Sequence, residues 1–576
     1  MRFSRPLPLL RVTPVVFAVI LLMIFLLHAP LLRLPYFWDE AGYYVPAARD
    51  ILLTGSFIPH STVSNAHPPL VMAWLALWWK VVGYAPVVTR TAMLVLAAFS
   101  LLGVFRLAER VANTQVAIAA TLCTAVYPVF FAQSSLAQVD LAAAGLIFWG
   151  LAAYLEGSAA ATMVWFSLAA LAKETAILAP LAVAGWEIVG LVARRSSLRG
   201  LWLGEDSPQG LKPTSLVAGS GPTESRALPK TVHETSFGAD SARRMASLLI
   251  PALPLALWYG YHYARMGYVF GNPEFFRYNV AATLSPIRFV LALVMRLWQI
   301  SGYLHLWVLT LAMVLAMGML PPRRDSTGER PRIGIPVQMI FYVVVLTYVV
   351  AMALIGGAVL ARYMLPAVPL VIILSVSTLW RRVAFWPVAV ACVALAFVAA
   401  WFWNPPYGFS PEDNLAYRDY IVLHEDGERF LEARYPMART LTAWPASDEL
   451  SRPWLGYITR PMSVVRIEDF SLDELLSAAD FRSGSSGSNY EVALIFSTKY
   501  EPQPAAWDHW RGWTELKTRF FGFHRDVPPA AAAGILGGHI VFSEQRQGQW
   551  VAVIEMESGG MQNAEVRMQK SEPFTF

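Results

Sequence analysis

The chain has 576 residues, 56% of them hydrophobic and only 15% charged, with a mean hydropathy of +0.46. Soluble domains carry about a quarter charged residues, so these values exclude an ordinary soluble protein and indicate a multispan membrane protein. The formal charge of +5 is small and no basic run suggests nucleic acid; Cys123 and Cys392 both lie in apolar segments, which excludes a disulfide framework and C-x-x-C metal sites.

Arg2, Arg5 and Arg11 precede the first apolar run, residues 15–32. The positive-inside rule then predicts a cytoplasmic N-terminus. The run ends in His28-Ala-Pro-Leu-Leu-Arg-Leu-Pro rather than in a small-residue cleavage site, so it reads as a retained helix. Directly after it comes Leu34-Pro-Tyr-Phe-Trp-Asp-Glu-Ala-Gly-Tyr-Tyr. Asp39 and Glu40 are thereby placed where a membrane helix meets water on the outer side. Tyr36, Phe37, Trp38, Tyr43 and Tyr44 around them suit a belt at headgroup level. Such a pair can act on a lipid headgroup or be a solvated loop acid pair.

Residues 70–84 are apolar but short and carry Lys80 among Trp74, Trp78 and Trp79, which fits a helix lying in the outer interface. With that assignment the helix beginning near Val87 brings Arg106 and Arg110 to the cytoplasm. Runs at 116–132, 141–155, 159–172 and 176–193 bring Arg194, Arg195 and Arg199 inside as well. The Gly/Ser/Pro/Thr-rich stretch 194–244 reads as a disordered cytoplasmic loop. Runs at 245–261, 303–320, 337–354, 364–379 and 383–402 put Arg323, Arg324, Arg381 and Arg382 inside, whereas Arg288 and Arg296 make 286–302 an outer-surface helix. About eleven spans result. An odd number leaves everything after Phe402 outside.

Two domains are therefore predicted: 1–402 in the membrane and 403–576 as an extracytoplasmic α/β domain. In the latter a helix at 412–434 precedes short apolar stretches at 440–444, 463–467, 491–497, 539–542 and 550–554, with a further helix at 471–479, an alternation that suits an open sheet. It contains no G-x-G-x-x-G, no P-loop and no Ser-His-Asp signature.

In this topology the outer face collects Asp39, Glu40, His60, His67, Asp140, Lys173, Arg265, Glu274, Arg277 and Arg362. Separated carboxylates beside cations can activate an acceptor nucleophile and neutralise a departing phosphate. Each residue also has a plainer role. Asp140 can cap the helix that follows it, His67 can be a loop residue before Pro68-Pro69, Lys173-Glu174 can be an interfacial ion pair, and Arg362 can snorkel.

Taken together, Trp38-Asp39-Glu40, His67-Pro-Pro-Leu70, Gln138-Val-Asp140, Ala172-Lys173-Glu174-Thr175 and Ala361-Arg362-Tyr363-Met-Leu-Pro366 resemble the GT-C glycosyltransferases. The branch in question is similar to protein O-mannosyltransferases and aminoarabinose transferases. The resemblance covers roughly residues 11–402. It implies a GT-C fold, a multi-pass inner-membrane location and a sugar donor carried on polyprenyl phosphate. The acceptor would be a lipid, a glycan or a protein on the outer side. It also implies that Asp39 is the catalytic base, with Glu40 beside it, and that Asp140 is an assisting carboxylate. His67, Lys173, Arg277 and Arg362 would hold the donor phosphate. No cofactor is implied with certainty. A divalent metal near the first loop is left open, because Ala66 stands before His67 where an acid would help ligation. The rival reading is a transporter or flippase whose acids couple ions to transport. Against it, the candidate residues gather at one face and no inverted repeat is visible.

Overall fold

The computed structural model describes residues 9–195, 241–269, 271, 285–355, 357–483, 490–500, 510–521, 523 and 525–557. Arg277, Glu274 and most of the 194–244 loop lie outside the described residues.

Helices dominate up to Phe402. Among the described residues five helical stretches are long and apolar enough to cross a membrane: Thr13–Leu31, Pro86–Val111, Glu174–Val192, Pro286–Met319 and Ile335–Ile355. A sixth arises if Thr114–Val126 and Pro128–Ser135 count as one. The remaining apolar runs form shorter helices, such as Leu70–Val82, Ala159–Ala172 and Trp386–Phe402, so the count of about eleven is not reproduced at full spanning length. The first helix shows how such a span meets lipid: Val15, Val19, Leu22 and Leu26 recur at helical spacing and are exposed, while Ile20 and Ile24 face the protein.

Two departures from the predicted spans have clear causes. The run at 116–132 is not one straight helix. Pro128 supplies no N–H and disfavours a helical Tyr127, which sits at φ −60°, ψ 126°, and the two halves meet at 68°. The helix Pro286–Ser301 does not turn its arginines outward. Arg288 and Arg296 are buried, and Ile287, Val290 and Val294 on its other face are exposed. Arg296 and Gln299 donate to the carbonyls of Ala358, Val359 and Leu360, because an unpaired guanidinium in an apolar setting must find acceptors. These bonds fix the segment leading into Arg362.

Within the membrane part, Pro86–Val111 and Asp140–Glu156 approach closely because small residues line the seam. A Cβ at Gly145 would collide with Ser100, and one at Gly103 would lie 2.9 Å from Trp149.

Beyond Phe402 the chain forms the expected small α/β domain. After a two-residue hairpin in the membrane part (β1, Arg324–Asp325; β2, Gly328–Glu329) come β3 (Thr440–Ala443), β4 (Val464–Ile467), β5 (Val492–Phe496), β6 (Gly538–Arg546) and β7 (Gln549–Met556). The last five make one sheet in the order β4-β3-β5-β7-β6, with β3 parallel to β4 and β5, and β7 antiparallel to β5 and β6. β5 is fully buried and continuously apolar, as a strand covered on both faces should be. Helix Ala416–Arg434 packs on the sheet, and Gly427 admits Val551 of β7, which a Cβ there would meet at 3.0 Å.

The domain also grips the membrane part. Tyr457 donates to Tyr36 O at 2.9 Å and Tyr84 to Trp454 O at 2.9 Å. The aromatic residues of the first loop serve this contact rather than a lipid belt. Tyr36, Phe37, Tyr43 and Tyr44 are buried, and Phe37 and Trp38 meet Tyr420 and Trp444 edge-on.

Candidate active site

Four of the expected residues converge at helix ends. Asp39 follows Trp38, which is held at φ 44°, a left-handed conformation that a bulky residue rarely adopts. A π-helical turn, Glu40–Tyr44, begins immediately after it. Both features mark backbone forced into an uncommon shape to aim a side chain. His67 follows a second such residue, Ala66 at φ 60°. Asp140 opens the helix Asp140–Glu156 but makes no capping bond. Lys173 ends Ala159–Ala172 in an extended conformation, φ −153°, that turns its chain aside. Arg362 lies in the short 3₁₀ turn Ala361–Met364, anchored from behind by Arg296 and Gln299.

Arg362 is the hub. Its Nη2 donates to Asp39 Oδ2 at 2.5 Å, its Nη1 donates to Gln138 Oε1 at 2.5 Å and to Glu412, and its Nε lies 3.4 Å from Asp140 Oδ2. Asp140 in turn accepts from Lys173, and the Lys173 ammonium lies 4.1 Å above the centre of the Tyr363 ring. Arg362 does not snorkel, being 3% exposed. Burial disfavours its charge, but Glu412, Asp39 and Asp140 outweigh burial and hold the guanidinium firmly protonated. Of the three carboxylates Asp39 is the open one, with a third of its side chain exposed against 3% for Asp140 and 4% for Glu412.

Glu412 comes from the turn Pro411–Asp413 and was missed, since the sequence placed it at the head of a soluble-domain helix that in fact begins at Ala416. Burial, together with the nearby charges of Asp39 and Asp140, raises its pKa. Its neighbour Asp413 is pushed up to about 8, first by burial and then by Glu412, and it accepts from the Tyr303 hydroxyl at 2.6 Å. The only signal was the Pro-Glu-Asp-Asn run between an apolar helix and a polar one.

Glu40 sits elsewhere. It is fully buried, accepts from Arg90 at 2.5 Å, from Phe37 N at 2.8 Å and from Ala137 N, and Arg90 also donates to the carbonyls of Pro35 and Ser135. This pair ties the first loop to the chain just before Gln138. His67 donates or accepts through Nδ1 with Glu174 at 3.1 Å and packs beside Tyr43 and Tyr44. His60 and Arg265 are away from the cluster: His60 N caps Asp50 and Arg265 lies over Tyr261. For a divalent metal at the first loop the structure offers the His67–Glu174 pair, and among the described residues it is not part of a group of three such donors. Among the described residues the one group of three His, Cys, Asp or Glu donors able to meet an ion lies in the C-terminal domain.

An apolar cavity of about 150 Å³ opens between helices next to these residues, lined by Leu70, Trp74, Leu96, Phe99, Ala142 and Leu168. Leu70 is three residues from His67 and Ala142 two from Asp140. An ionic cluster thus borders an apolar recess, an arrangement that can hold an amphiphile with its charged group at the helix ends.

No protein-family model and no curated protein sequence matches the chain. Solved structures do. ArnT from Cupriavidus metallidurans bound to undecaprenyl phosphate is similar over 94% of this chain and 97% of its own, with 13% identity and a TM-score of 0.51. The apo form of the same protein matches over the same shares at 13% identity with a TM-score of 0.48. The archaeal oligosaccharyltransferase AglB from Archaeoglobus fulgidus, in complex with an inhibitory peptide and a dolichol-phosphate, matches 94% of this chain and 74% of its own at 10% identity, with a TM-score of 0.39. The chain therefore shares its fold with ArnT over nearly its whole length, as the GT-C resemblance implies.

Proposed function

We propose that the protein is a membrane glycosyltransferase that moves a sugar from a polyprenyl-phosphate donor to a lipid, glycan or protein acceptor on the outer face of the inner membrane. The observation that carries this is the Arg362 hub: one partly open carboxylate, Asp39, held by a buried guanidinium in a network otherwise closed to solvent. The shared fold with ArnT, which was captured with undecaprenyl phosphate, supports the donor class.

In this reading Asp39 accepts the proton of the acceptor hydroxyl or amine as that atom bonds to the anomeric carbon. The bond from that carbon to the phosphate oxygen breaks, and the electron pair leaves with the polyprenyl phosphate. Arg362 fixes Asp39 in position. Lys173 and His67 hold the phosphate, displacing Asp140 and Glu174, their partners in the structure. Arg277 joins them as a proposed ligand from outside the described residues. Glu40 acts through Arg90 as a positioning residue. The prenyl chain enters the recess lined by Leu70, Trp74 and Phe99, and residues 403–576 cover the site as an extracytoplasmic domain.

The test is release of free polyprenyl phosphate from a panel of synthetic polyprenyl-phosphate sugars, with membrane extract as acceptor source. Wild type should release it from one donor. Asp39→Asn should lose roughly 10²–10⁴-fold in rate while keeping its unfolding temperature. If no donor is turned over and none protects the protein against thermal unfolding, the reading is wrong.

A further inference from the structure

A second set of donor groups lies in the C-terminal domain, where the transfer chemistry has no use for it. His424 and Glu428 stand one turn apart on helix Ala416–Arg434, so both face the same way. Glu449 ends the short helix Ala446–Glu449 and points at them. All three are at most 1% exposed. His424 Nδ1 is 2.7 Å from Glu449 Oε2 and 3.8 Å from Glu428 Oε1, and the three donor atoms lie within 4.8 Å of one another. Among the described residues no lysine or arginine comes within ion-pairing distance of them. Both oxygens of Glu428, Oε1 of Glu449 and Nε2 of His424 are buried without a hydrogen-bond partner.

We propose that His424, Glu428 and Glu449 bind one divalent transition-metal ion of the zinc class. Two carboxylates and a neutral imidazole present two negative charges inside the protein. One dication cancels both charges and is a partner for all three donors at once, whereas cancelling them with protons takes two. Tetrahedral zinc with bonds of about 2.0–2.2 Å separates its ligands by roughly 3.4 Å, between the two contacts His424 makes. The nitrogen donor and the count of three protein ligands select against calcium and magnesium, which take six or more oxygens.

The surroundings fit a structural ion. The three side chains supply three of the four tetrahedral positions and one enclosed water would take the fourth; Tyr420 stacks on His424 at 4.1 Å and Phe496 meets it at 4.4 Å, which shields the site from bulk water. The ion would clamp helix Ala416–Arg434 to the Ala446–Glu449 segment. Tyr420 on the first and Trp444 just before the second are the residues that pack on Trp38. The metal site therefore sets the wall against which Asp39 is presented, without touching substrate. The inference is independent of the transferase reading.

The experiment is elemental analysis of the full-length protein purified in detergent without chelator, paired with thermal unfolding. Wild type should hold one zinc-class ion per chain. Chelation should lower its midpoint and added Zn²⁺ restore it. Glu428→Gln and His424→Gln should bind at least ten times less metal, and their midpoints should ignore chelator. For variants that do not fold, X-ray absorption at the metal edge of wild type should report one imidazole among oxygen ligands. Wild type without stoichiometric metal and with a midpoint indifferent to Zn²⁺ would overturn the proposal. So would a Glu428→Gln protein that retains the ion, or one more stable than wild type under all conditions, since a shared proton would then explain the cluster.

Discussion

Two buried ionic clusters lie on either side of Trp38, and they are balanced in opposite ways. Around Arg362 the carboxylates of Asp39, Asp140 and Glu412 meet two cations, Arg362 and Lys173, and the two buried atoms without a hydrogen bond, Arg362 Nε and Asp140 Oδ2, face each other at 3.4 Å as an ion pair. Around His424 two carboxylates face one imidazole, with four polar atoms unpartnered. Desolvating a charge is tolerable only when its field is cancelled nearby. The first cluster sets two cations of its own against three carboxylates, and the acid that is partly exposed to water is Asp39. Among the described residues the second has no lysine or arginine within ion-pairing distance. In the proposed reading the first is the site open to substrate and the second is the one completed by a bound ion.

The largest effect should come from removing the hub. Arg362→Met would leave three carboxylates sharing one buried lysine, and breaking such a pair costs about 3–5 kcal/mol. We expect the variant to unfold many degrees earlier in detergent and to be inactive. Arg362→Lys should recover part of the folding but little turnover, because a single ammonium cannot reach Asp39, Gln138 and Glu412 together. If Arg362→Met unfolded like wild type, the contrast between the clusters would fail.

Glu40→Gln comes next. It strands Arg90, which is fully buried and bonded to Glu40, and about 3 kcal/mol is the expected loss of stability. Turnover per folded molecule should stay within a few-fold of wild type. Asp39→Asn should do the reverse. Measuring activity and unfolding on both variants separates a positioning acid from a reacting one although they are adjacent in sequence.

Asp413 adds a pH dependence. Its carboxyl is pushed up to about 8 in the folded protein, from an ordinary value near 4. The neutral form is the one accommodated, so its contribution to stability is complete below about pH 4 and is lost as the pH rises through about 8. Relative to Asp413→Asn, wild type should lose a few kcal/mol over that window, read from unfolding midpoints at pH 5, 7 and 9. Equal pH profiles would mean that Asp413 is ionised throughout.

Much of this fold was legible in the sequence because hydrophobic period and length report local structure directly. Four of the five strands of the C-terminal sheet fall within two residues of the apolar stretches at 440–444, 463–467, 491–497 and 550–554, and the fifth, β6, begins one residue before 539–542 but runs on to Arg546. Asp39, Asp140, Lys173 and Arg362 were legible as candidates because charged residues beside apolar runs stand out. What was hidden depends on tertiary contact. Arg288 and Arg296 read as water-facing because their carbonyl acceptors belong to another segment. Glu40 and Asp39 look alike in sequence, and only Arg90, fifty residues on, tells them apart. His424-x-x-x-Glu428 is a one-turn pair of donors that resembles any polar helix face until Glu449 closes it from a different element.

Aromatic rings lie between the two clusters, and one glycine permits their contact with the first loop. Gly42 lies in the π-helical turn after Asp39, and a Cβ there would stand 2.6 Å from the Trp444 ring. Trp444 in turn packs on Trp38 at 4.9 Å. Gly42→Ala therefore has to push Trp444 or the turn aside, with an overpacking cost of about 1–3 kcal/mol. The turn carries Asp39, so turnover should fall roughly ten- to a hundredfold, as small displacements of a reacting group do. The ions paired with Arg362 and the donors at His424 do not contact Gly42, so metal content should be unchanged. Loss of activity with metal retained would identify the ring contact as the link by which the C-terminal domain sets Asp39. Loss of both together would mean that the clusters are one cooperative unit, and full activity in Gly42→Ala would mean that Asp39 is positioned by Arg362 alone.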